Sequence, residues 1–179
     1  MNIDPIYIIA SAVSVSVILA NAATHKLRAP GRFTRQLEDY QLLPRALLKP
    51  VARGLPLLEI GVAFALLVPA SRAGAALLAA LLLALYAAAI GFNLWRGRRD
   101  IDCGCSGPDQ AQPLRPVLLA RNAILVALAL AAGLSPQTRE LGLFDGFVVI
   151  AASATALLIY AAAEGLLSNG PRLFKLIGR

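Results

Sequence analysis

Thiols and imidazoles are scarce in this chain of 179 residues: two cysteines, Cys103 and Cys105, and one histidine, His25. A structural zinc site wants four Cys or His ligands, and only three such residues exist. Aromatics make up 6% of the chain and are not interleaved with the basic residues, so a stacking groove for nucleic acid is not expected. Charge is also sparse, at 15% of residues. No P-loop, HExxH or nucleophile-elbow pattern occurs, and no internal repeat. The first apolar run is preceded by Asp4 and Pro5 rather than by basic residues, which argues against a cleaved signal peptide.

What fills the chain is apolar. Hydrophobic residues make up 58% of it and the mean hydropathy is +0.69, beyond the range of a soluble domain. Apolar runs near 5–24, 51–70, 73–95, 116–134 and 146–167 approach the roughly 20 residues that cross a bilayer. The expectation is an all-α integral membrane protein, a single domain of about five transmembrane helices whose solvent is the lipid bilayer. Residues 25–50 are polar and basic, and Phe33, Leu37 and Tyr40 recur in them at helical spacing. They read as a short amphipathic helix on the membrane surface or against the bundle, with Pro44 and Pro50 as punctuation.

The polar island Asp102-Cys103-Gly104-Cys105 is the candidate reactive site. A disulfide needs Cα atoms about 4.4–6.8 Å apart, and residues i and i+2 of a bent chain come near that range. Gly104 makes the bend cheap. Such a bridge closes almost no loop and adds little stability, so a redox role is expected over a structural one. The rivals are a metal or small-molecule transporter using the two thiolates and an inert loop. No metal is predicted. One pair alone cannot relay electrons across a bilayer, so a quinone or a second protein is needed.

Two membrane-embedded charges stand out. An acidic residue inside a span is costly and marks a functional candidate, which makes Glu59 one; pairing with Arg53 or another nearby cation is the plainer reading. Arg121, beside Asn122 in the first turns of the fourth run, either snorkels to the interface or faces the cysteines and favours a thiolate. Of the basic residues, seven in 25–53, four in 96–115, Arg121 and three in the tail fall on one side, against Arg72 and Arg139 on the other. The positive-inside rule then gives a multi-pass protein of a bacterial-type inner membrane, N-terminus out and C-terminus in.

The stretch Asn93-Leu94-Trp95-Arg96-Gly97-Arg98 followed by Asp102-Cys103-Gly104-Cys105-Ser106-Gly107 resembles the methylamine utilisation protein MauE family, within the wider DoxX-like group. So do Lys26-Leu27-Arg28, Glu38-Asp39-Tyr40, Leu57-Leu58-Glu59 and Arg121-Asn122. The resemblance implies a role in maturation of partner proteins rich in disulfides, beside a thioredoxin-like protein. It implies Cys103 and Cys105 as the redox pair, with Glu59, Arg121 and Asn122 in support; Asp102 and Gly104 are supporting candidates as neighbours of the cysteines. A non-catalytic scaffold for the thioredoxin-like partner is the alternative.

Overall fold

The computed structural model describes residues 3–103 and 112–176. Gly104, Cys105 and the tail residue Arg179 lie outside the described residues. Six helices follow one another: α1 (Pro5–Arg28), α2 (Pro30–Tyr40), α3 (Arg45–Leu67), α4 (Arg72–Trp95), α5 (Val117–Ala132) and α6 (Leu143–Leu176). No strand runs among the described residues, so the protein is an all-α membrane protein. α1, α3, α4 and the stretch Leu143–Asn169 of α6 are long and apolar enough to cross a membrane. α5 has 16 residues and rises about 24 Å, short of the ~30 Å hydrocarbon core.

Local chemistry sets the ends. Asp4 caps α1 by accepting a hydrogen bond from the Ile6 amide at 2.9 Å, and Pro5 takes the first helical position. α1 stops at Arg28 because Ala29 precedes Pro30 and is turned out of the helical region. α4 is closed just past its end by Gly97, whose φ of 73° suits glycine. There the Gly97 amide bonds Leu94 O and the Arg98 amide bonds Asn93 O, each at 3.0 Å, a Schellman closure. Pro50 does not punctuate: α3 begins at Arg45, ahead of the apolar run, and carries both Pro50 and Pro56 inside it. Each proline forfeits one helical hydrogen bond, which helix-to-helix burial offsets.

Five helices run back and forth between two ends. α1 packs on α3, α5 and α6, and α4 on α3 and α5. The core is made of small side chains: Ala75, Ala76, Ala79 and Ala80 of α4 meet Leu125, Ala129 and Ala132 of α5, with Ala12, Val15, Val62 and Ala63 across from them. Small residues let backbones approach closely, the main source of helix attraction in lipid. Ser16 Oγ ties α1 to α3 through Ala63 O at 2.8 Å. Large side chains such as Phe64, Leu77, Ile124 and Ile150 point outward, where lipid receives them.

The two ends differ. One gathers Asp4, Arg139 and Asp145: Arg139 bonds both carboxylates at 2.9–3.1 Å. Its second cation, Arg72, donates to Leu66 O at 3.2 Å. The other end holds α2 and the cysteine segment.

Candidate functional site

α2 reaches the cysteine segment with one face. Arg32, Gln36 and Tyr40 are spaced four residues apart, which stacks them along a helix. Arg32 Nη2 and Gln36 Nε2 donate to Asp102 Oδ2 at 2.8 and 2.9 Å, and Tyr40 OH donates to Cys103 O at 3.3 Å. Asp102 Oδ1 accepts from the Gln112 amide at 3.2 Å, and the Cys103 amide donates to Gln112 O at 2.8 Å. Asp102 thus ties the segment to Arg32 and Gln36 of α2 and to its own returning backbone at Gln112. Cys103 is buried, 7% exposed among Ile90, Ile101, Leu114 and Leu118. Its backbone polar groups are satisfied by Gln112 and Tyr40, so irregular chain can lie inside the protein.

Arg121 faces this cysteine. Its Nη2 lies 3.6 Å from Cys103 Sγ, while Nη1 bonds the carboxylate of Glu164 on α6. A guanidinium beside sulfur favours negative charge there, and the thiolate is the form that attacks disulfides; Glu164 offsets part of that field. Arg98, closer in sequence to the cysteine, bonds Asn93 Oδ1 at 3.4 Å. Asn122 is buried and donates to Leu118 O of its own helix at 2.9 Å.

Glu59 sits deeper. It is 0% exposed and bound by Lys26, itself 6% exposed, so its cation comes from α1 and not from the exposed Arg53. Tyr86 OH donates to Glu59 Oε1 at 2.6 Å. Lys26 Nζ lies 3.3 Å from Tyr86 OH, and 5.3 and 4.8 Å from the centroids of the Phe33 and Tyr86 rings, within cation–π range. Sequence reasoning missed Lys26 and Tyr86 as its partners. The signal available was a lysine at the inner end of an apolar run, where one carboxylate was also in want of a cation.

Between the two clusters lies a cavity of about 310 Å³. Lys26, Phe33, Tyr86 and Cys103 line it with Leu55 and Leu85. Its walls are almost entirely apolar side chains of α2, α3 and α4.

The family model described as "Methylamine utilisation protein MauE" matches residues 4–135. That span holds Lys26, Glu59, Tyr86, Cys103 and Arg121. The methylamine utilization protein MauE of Paracoccus denitrificans is 37% identical over 163 residues, covering 90% of this chain and 88% of the relative. That of Methylophilus methylotrophus is 40% identical over 171 residues, covering 90% and 86%.

The chain belongs to the MauE family.

No solved structure matches it significantly. The MauE match stops at residue 135, before Glu164. The curated relatives nevertheless align over about nine tenths of the chain, a length that extends beyond the fifth helix.

Proposed function

We propose that this MauE chain is an inner-membrane component of methylamine utilisation in which Cys103 and Cys105 form a reversible thiol–disulfide couple that supports maturation of partner proteins. The observation carrying this reading is the Arg121 guanidinium 3.6 Å from the buried Cys103 sulfur. In the proposed exchange a partner dithiol gives two electrons and two protons to the bridge. The partner leaves with a new S–S bond, and Cys103 and Cys105 become thiols. A thioredoxin-like protein is the partner class the family resemblance suggests. Five crossings are proposed, α5 being completed by the polar segments at its two ends. The charge asymmetry favours the cysteine end facing the cytoplasm, with Asp4 outside.

The test is thiol counting in sealed inside-out and right-side-out vesicles over a series of redox buffers, using a membrane-impermeant maleimide after unfolding-free quenching. Both thiols should titrate together as one two-electron couple and be labelled from the inside-out vesicles. Labelling that never changes with the buffer would sink the redox reading. Labelling from the opposite face would reverse the topology.

A further inference from the structure

The geometry points to the cavity between α2, α3 and α4 as a binding site for the ring of a lipid-soluble quinone. Three observations converge on that class. At about 310 Å³ the cavity falls at the small end of ligand pockets, roughly 300–1,000 Å³, and suits a single ring. Its lining is apolar apart from a few polar groups, the usual composition of a site for a flat hydrophobic ligand. It also opens outward, because two lining residues, Leu42 and Leu85, are exposed on the surface of the bundle at 41% and 55%. An isoprenoid tail can leave by that opening into lipid.

The polar groups are what a quinone carbonyl needs. Lys26 lines the cavity and is almost wholly buried. Of its three N–H donors, one goes to Glu59 and one to Tyr86 OH. The rest of its surroundings are the ring faces of Phe33 and Tyr86, with centroids 5.3 and 4.8 Å from Nζ. A ring face is a weaker partner for an ammonium than an oxygen in a charge-assisted hydrogen bond, so a carbonyl oxygen in the cavity would be a gain. The ammonium would also stabilise charge that develops on the oxygen as the ring is reduced. Glu59 accepts from both Lys26 and Tyr86, which fixes the donors in place. A plain acyl chain offers nothing for the ammonium to bond, and an anionic head group would meet a lysine whose charge Glu59 already balances.

Cys103 lines the same cavity. For the electron step this inference rests on the redox reading above; for binding it does not. In that step the dithiol loses two electrons and two protons as its S–S bond forms, and the quinone takes up both as the hydroquinone. No other reactant is required.

Decylubiquinone binding to the full chain in lipid nanodiscs tests the inference, measured by equilibrium partition with a decyl alcohol as competitor. Wild type and Arg139→Gln, altered at the opposite end of the bundle, should bind alike, within about twofold. Ala89→Trp, which places a large side chain in the cavity wall, should abolish binding. Lys26→Met combined with Glu59→Gln removes both charges together, so the fold is kept, and should weaken binding about tenfold, the worth of one hydrogen bond to a charged donor. Equal competition by the alcohol, or binding that survives Ala89→Trp, would overturn the site. Absent binding with a normal thiol titration would also overturn it while leaving the redox reading intact. Binding without any thiol titration would keep the site and remove the redox reading.

Discussion

Lys26 and Glu59 are 33 residues apart in sequence and form a buried ion pair between α1 and α3, at 6% and 0% exposure. Breaking a buried pair by removing one partner leaves an uncompensated charge and costs about 3–5 kcal/mol, whereas removing both can be nearly neutral. Lys26→Met and Glu59→Gln should each lower stability in a denaturant titration of the detergent-solubilised protein. The double variant should recover most of the loss. If the double variant were as unstable as the sum of the two, the pair would not be the unit that matters.

Arg121 and Glu164 act on Cys103 in opposite senses. In a Cys105→Ser background, Arg121→Gln should slow alkylation of Cys103 several-fold at neutral pH, because the cation beside the sulfur is gone. Glu164→Gln should speed it, since the guanidinium loses its counter-charge. Reaction with a small permeant reagent, followed by mass, reads both. Rates that move in the same direction would show a packing effect rather than a charge effect.

Gly133 tests how tightly α4 and α5 meet. A Cβ there would stand 2.9 Å from Ala76 Cβ, and Ala76 is fully buried. Gly133→Ala should cost about 1–3 kcal/mol by overpacking. Adding Ala76→Gly should restore much of it, as seen by the same denaturant titration. A neutral Gly133→Ala would mean the two helices separate easily.

The clamp at the opposite end has a pH signature. Hydrogen bonding from Arg139 holds the Asp4 carboxyl below its ordinary value of 3.8, with the Ile6 amide adding to the effect. A depressed carboxylate contributes stability above its unfolded pKa and loses it as pH falls through the folded value. Wild type should therefore melt higher than Arg139→Gln at pH 6. The gap should close as the pH drops below about 3.8, the ordinary carboxylate range. Asp145 is held down by the same guanidinium, so a gap that persists in acid would assign the effect to packing instead.

Legibility in the sequence followed the physics of each feature. Apolar run length is a local signal, and α4, Arg72–Trp95, matches the run at 73–95. Asp102 and Cys103 were marked by composition alone. Their surroundings were not, because Arg32, Gln36 and Tyr40 reach them across more than 60 residues. The four-residue spacing of these three was visible, but apolar Phe33 and Leu37 drew attention to another side of the same helix. Pro50 misled because a proline ends helices in water, while in a bundle neighbouring helices retain it. The partner of Glu59 could not be read from nearby residues, since Lys26 lies on another helix.

The two prolines of α3 have an energetic corollary. Pro50 and Pro56 have no amide hydrogen to give, so the carbonyls of Ala46 and Ala52 lack their usual helical donors. Val51 and Leu55, which face the cavity, sit in that same stretch. Bending this wall outward breaks fewer backbone bonds than bending α4 across from it. The passage into the cavity is therefore softest along α3, where a gap in the hydrogen-bond ladder is already part of the ground state.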